Sequence, residues 1–131
     1  MSRFRHRTCL ALLVLGLAAP AGSAEPPQAS RSAYARALEA FQEERWEDAL
    51  VALDEAYRAE PKAIYLYNRG RVLEASGRLV EANEAFLRAK ASPDVSEDLA
   101  KLLQFQIDRV TPLLARAVLR FKGLPGALQV D

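Results

Sequence analysis

Residues Tyr67–Ala89 read YNRGRVLEASGRLVEANEAFLRA. Apolar or small residues recur at Gly70, Val72, Leu73, Leu79, Ala82, Ala85, Phe86 and Ala89. That spacing predicts two short amphipathic helices rather than strands. Gly77 breaks the pattern between them, where a tight interhelical turn needs a permissive residue. Small side chains at Gly70, Ala82 and Ala89 allow close approach of helix backbones. Leu73, Leu79 and Phe86 fill the space beside them.

The unit occurs twice. A shift of 33 positions places Tyr34 on Tyr67, Arg36 on Arg69, Arg45 on Arg78, Ala49 on Ala82, Ala52 on Ala85 and Ala56 on Ala89. Trp46 falls on Leu79 and Leu53 on Phe86, so bulk is kept where identity is not. This periodic alternation of small and large residues resembles the tetratricopeptide repeat (TPR). The resemblance rests on Ala37, Trp46, Ala49, Leu53, Ala56 and Pro61 in the first copy. In the second it rests on Gly70, Leu73, Gly77, Leu79, Ala82, Phe86 and Ala89. It covers about Ser32–Pro93. Arg36 and Arg69 stand where the family usually has leucine, and the first copy has Glu44 where the second has Gly77.

Helices are predicted over Ser32–Glu44, Glu47–Ala59, Ala63–Ser76 and Leu79–Lys90. Ser32 is read as the N-cap of the first. Ala49, Leu50, Leu53, Ala56 and Tyr57 should face inward, with Asp48, Asp54, Glu55 and Arg58 toward water. Pro61 closes the first repeat (32–61), because the residue before a proline disfavours helix. Ser92-Pro93 closes the second (63–93). Residues 94–114 are read as a capping helix over the open side of the second repeat, starting at Asp94, with Ser96 able to cap it and Glu97 and Asp98 in its first turn. Pro112 should kink or stop that helix.

After it, Ala117, Leu119 and Phe121 alternate with Val118, Arg120 and Lys122, which is a strand-like period. Residues 115–131 therefore read as a β-prone tail. Leu119–Asp131 resembles the opening of a PEGA domain, a small β-module of envelope proteins. The expected fold is all-α: an antiparallel stack of two helix hairpins, a capping helix and this tail.

The start of the chain has the form of an export leader. Arg3, Arg5 and Arg7 precede the apolar run Cys9–Ala19, which is too short to span a bilayer comfortably. Pro20 and Gly22 break the run, and small residues lead to Ala24. Cleavage after Ala24 is expected, which places the protein in the periplasm or cell envelope; an uncleaved anchor is the alternative. Residues 25–31 follow as a proline-containing linker. Of the 131 residues, 107 remain after the leader, and the only Cys and His leave with it. The three leader arginines taken from 18 basic residues leave 15 against 17 acidic. A disulfide, a Cys/His zinc site and a Ser–His or Cys–His nucleophile pair are thereby excluded from the remainder. Phosphate-cradling glycine motifs are absent, no cofactor is expected, and a slightly acidic chain has no electrostatic reason to bind nucleic acid.

Acidic pairs such as Glu43/Glu44, Glu47/Asp48 and Asp54/Glu55 are neighbours in sequence, which on a helix point in different directions. They read as solvated surface, and no enzyme is expected. Arg36 and Arg69 are expected to bridge to Glu39 or Glu74, or to extend into the groove. Trp46, Tyr34 and Tyr57 lie at repeat core positions; Tyr65 and Asn68 are better placed for a groove.

The TPR resemblance implies protein–protein interaction, with the first helix of each pair lining a concave surface. Tyr34, Leu38, Gln42, Tyr67, Asn68, Arg71 and Glu74 would lie on or near it. Some family members grip a peptide's terminal carboxylate there with asparagines and lysines; here only Asn68 and Arg71 match, without the lysines. A protein or peptide partner is expected. The alternative is an envelope-assembly component that packs on copies of itself or on a β-domain.

Overall fold

The computed structural model of the chain describes residues 25–122. It contains α1 (Gln28–Gln42), α2 (Trp46–Ala59), α3 (Ala63–Ala75), α4 (Leu79–Lys90) and α5 (Glu97–Lys122), with no strand among the described residues. Each helix packs on the next in order, giving two helix hairpins and a fifth helix against α4. The expected all-α stack is the fold found.

The core follows the repeat. Ala33, Ala37 and Ala40 of α1 are buried with Ala49, Ala52, Leu53 and Ala56 of α2, and Val72 and Leu73 of α3 with Ala82, Ala85, Phe86 and Ala89 of α4. Alanine on one side of each contact permits short interaxial distances. Gly70 takes this furthest: a β-carbon there would sit 2.4 Å from the Phe86 ring, which is fully buried.

Both hairpins turn in the same way. In the first, the N–H of Arg45 donates to Ala40 O at 2.8 Å and that of Glu44 to Phe41 O at 3.1 Å. In the second, Arg78 donates to Leu73 O at 2.8 Å and Gly77 to Glu74 O at 3.0 Å. These nested bonds close a helix around a left-handed residue, and Glu44 (φ 57°) and Gly77 (φ 81°) are those residues. The departure in type at this position leaves the backbone unchanged.

Several sequence expectations are corrected. Helix α1 begins at Gln28, after Pro27 at the N-cap, so Ser32 is not its cap and the second half of the linker is helical. The Ser32 hydroxyl donates instead to Ala29 O within the helix, while buried Ser30 lies 2.9 Å from Pro27 O. Helix α5 begins at Glu97 rather than Asp94, with Leu99 N–H donating to the Ser96 hydroxyl at 3.2 Å as its cap.

Pro112 does not end α5. Leu103, Gln106 and Val110 are buried, with Leu99, Ile107 and Leu114 half-buried beside them, so one core-facing stripe of helical period runs through the proline. The Thr111 hydroxyl adds a donor to Ile107 O in the turn where Pro112 lacks one. Residues 115–122 are accordingly helical, not a strand. Lastly, Arg36 and Arg69 reach neither Glu39 nor Glu74: Arg36 pairs with Glu55, and Arg69 with Asp54 at 3.1 Å, both on α2. Asp54 and Glu55 are only half-exposed for that reason. The leader (1–24) and the end of the tail, with most of its PEGA-like stretch, lie outside the described residues.

Candidate functional site

Three of the groove residues named from the sequence meet. Leu38 from α1 and Asn68 and Arg71 from α3 line a cleft of about 140 Å³, together with Ala37, Phe41, Leu53 and Val72. Its walls are mainly apolar. The cleft is well below the roughly 300–1,000 Å³ of small-molecule sites, a size suited to a single apolar side chain. Leu38 is 42% exposed, although it sits between the buried Ala37 and Ala40.

Asn68 works inward. Its side-chain amide donates to the Tyr34 hydroxyl at 3.2 Å and to Ile64 O at 2.9 Å, which ties α3 to α1. Arg71 lies across the rim. Its Nη1 donates to the Tyr67 hydroxyl at 3.2 Å, and its Nε stands 4.0 Å from the Glu74 carboxylate. A guanidinium carries five N–H donors, so these contacts leave capacity for a further acceptor.

The other named residues are placed elsewhere. Tyr34 packs on Tyr65 with ring centroids 5.4 Å apart, and Tyr65 is buried, so Tyr65 belongs to the core and not to the groove. Tyr67 is half-buried against Phe86 at 6.1 Å. The Glu74 side chain is only 14% exposed and pairs with Arg109 of α5, which also donates to Gln106. Glu74 thus joins α3 to α5. Gln42 is exposed at the end of α1 and does not line the cleft. Phe41 and Ala37, which also line the cleft, were not among the groove residues named from the sequence. The spacing of Phe41 from Leu38, and that of Val72 from Asn68, is the signal for a shared face.

A second recurring feature lies at the turns. Arg45 donates to Asp48 at 2.6 Å and to Glu43 at 2.7 Å, and Arg78 to Glu81 at 2.6 Å and to Glu47 at 3.1 Å. The Arg78 hydrogen bond holds the Glu81 carboxyl below its usual pKa. Glu81 lies in the first turn of α4, as Asp48 does in that of α2, where the helix dipole favours an anion.

No helix among the described residues is long and apolar enough to cross a membrane. No curated protein and no solved structure matched the chain. Residues 34–96, just under half of the chain, match the family model described as tetratricopeptide repeat. That match runs from within α1 to just past the end of α4, and with the 33-residue shift and the paired turns it supports a tetratricopeptide-repeat protein.

Proposed function

We propose that the protein is an exported interaction module that holds a partner protein's extended segment along α1 and α3. TPR repeats are scaffolds for protein–protein interaction and are generally not enzymes, and the match over residues 34–96 supports that coarser statement here. The finer reading is carried by one observation: the cleft has apolar walls from Leu38, Phe41 and Val72, with Arg71 on its rim. An apolar side chain of the partner fills the cleft, and a neighbouring carbonyl or carboxylate accepts from Arg71, which can hold a carboxylate by two parallel hydrogen bonds. Chemistry on the partner is not part of this reading.

Export rests on the basic start, the short apolar run and the small residues ending at Ala24. Protein recovered from the envelope fraction should begin at Glu25, and recovery of intact Met1 from the cytoplasm defeats this part. For the groove, the parent chain and the Leu38→Asp variant are used in parallel to capture proteins from envelope extract. Species retained by the parent and lost with Leu38→Asp are the groove's partners. A capture pattern the same for both overturns the groove.

A second reading is association of like copies, and it rests on large apolar side chains exposed on α5. Leu102 and Phe105 stand on α5 at 50% and 61% exposure.

A further inference from the structure

We infer that the outer face of α5 is a self-association surface, on which a second copy of the chain lays its own α5 antiparallel. This rests on the second reading above and names its surface and register. Leu103, Gln106 and Val110 turn into the stack. A different stripe follows Asp98, Leu102, Phe105, Arg109, Leu113, Arg116 and Arg120. Each step is three or four residues, so these positions share one helix face. Leu113 adds 40% exposure to the two large side chains above. The spacing is that of a helix-pairing seam.

Charge decides the occupant and its direction. The stripe begins with Asp98 and ends with Arg116 and Arg120. A parallel copy would set like charges opposite one another. An antiparallel copy sets Asp98 opposite Arg120 and Phe105 opposite Leu113, and lays Leu102 along the aliphatic stem of Arg116. The stripe is thus complementary to its own reverse, as a twofold interface requires. Arg109 falls at the twofold axis, where its guanidinium would meet its own copy. It is drawn aside by Glu74 of α3 and Gln106, so apolar side chains are left to meet at the centre.

The test is sedimentation velocity over a concentration series, on the chain beginning at Glu25; among the described residues every buried one lies between Ser30 and Val110. A dimer is expected. Phe105→Glu places a charge against Leu113 of the copy and should weaken association by roughly tenfold or more, as loss of a central anchor does. Leu102→Lys is the second variant should Phe105→Glu fail to fold, and circular-dichroism melts verify the fold of each. Asp98→Arg should weaken association by roughly threefold, and Asp98→Arg with Arg120→Asp should restore it, because residue 98 of one copy meets residue 120 of the other. A chain that stays monomeric at every concentration overturns self-association altogether. A dimer indifferent to Phe105→Glu and to the charge exchange overturns this surface while leaving self-association standing.

Discussion

Both carboxylate oxygens of Asp94 lie 3.1 Å from the backbone nitrogen of Ala63, thirty-one residues earlier in the chain. Ala63 is the first residue of α3, and its N-cap, Lys62, offers no side-chain acceptor. The first N–H groups of a helix have no intrahelical partner, so a residue from the loop after α4 caps α3 from across the hairpin. Ser30 stands one shift of 33 before Ala63, and its hydroxyl lies 3.4 Å from Glu60, which follows α2. In each repeat an acid after the second helix reaches back to the start of the first.

Asp94→Ala should therefore cost about 1–2 kcal/mol, the usual cost of losing a cap. Asp94→Asn keeps one acceptor oxygen and should cost less. Urea melts of both, beside the surface change Glu84→Ala, make the comparison. Equal midpoints for all three exclude the cap.

The Gly70–Phe86 contact is the tightest test of the core. A methyl at position 70 would stand 2.4 Å from a ring with no exposed surface. Gly70→Ala should destabilise by about 1–3 kcal/mol despite alanine's higher helix propensity, because overpacking outweighs it. Combining it with Phe86→Leu should recover part of the loss, as a coupled pair does. Ala82→Leu, at a fully buried position on α4, should cost a similar amount by the same mechanism.

Glu44 and Gly77 hold the same left-handed turn with different side chains. A non-glycine residue pays about 1–2 kcal/mol in that region, offset in part by its smaller backbone entropy loss. Glu44→Gly should raise stability by roughly 0.5 kcal/mol or more, and Gly77→Ala should lower it by about 1 kcal/mol. Opposite signs at two equivalent positions, read from thermal melts, are the outcome that matters.

The hairpins were legible because their signal is local and repeated. Alanine at helical spacing, seen twice at a shift of 33, leaves one arrangement of α1–α4 and identifies the close approach at Gly70. What the sequence concealed lies in contacts between distant segments. Asp94 reads as the start of a helix, and only the folded hairpin brings it to Ala63. Pro112 reads as a kink or a stop, since its local cost is plain while the packing of Val110 and Leu114 on either side is not. The alternation at 117–122 is a short pattern that a helix continuing from a packed stripe overrides. At the groove, Leu38, Asn68 and Arg71 were found from the repeat position. The inward role of Asn68 and the tie from Glu74 to Arg109 depend on partners that no spacing reveals.

Acid should act on the second turn. The Glu81 carboxyl is held below its usual value, chiefly by its hydrogen bond from Arg78. A lowered folded-state pKa gives stability that is present above the unfolded value of about 4.5 and is lost as pH falls through the folded value. Glu81→Gln removes that contribution, so the variant should lose less stability than the parent between neutral pH and the acid limb. The difference should be small, since the pair is solvent-exposed, and should shrink in high salt. Thermal melts over a pH series measure it. A variant that loses as much stability as the parent excludes the pair as its source.

Asn68 and Arg71 share a face of α3, but the structure separates their roles. The Asn68 amide is spent on Tyr34 and Ile64. Arg71 stands on the rim, and its hydrogen bond to Tyr67 and its pairing with Glu74 both stay within α3. Asn68→Ala should therefore lower stability by about 1 kcal/mol, through loss of the bond to α1. Arg71→Ala should leave the melting midpoint nearly unchanged, while weakening a groove partner by on the order of 1–2 kcal/mol. Val80→Ala, on the exposed side of α4, should change neither. Calorimetric titration of a partner captured by the parent chain, with melts of each variant, separates the two roles. If Arg71→Ala binds as the parent does while Phe105→Glu abolishes binding, the partner docks on α5 and the cleft between α1 and α3 is not its site.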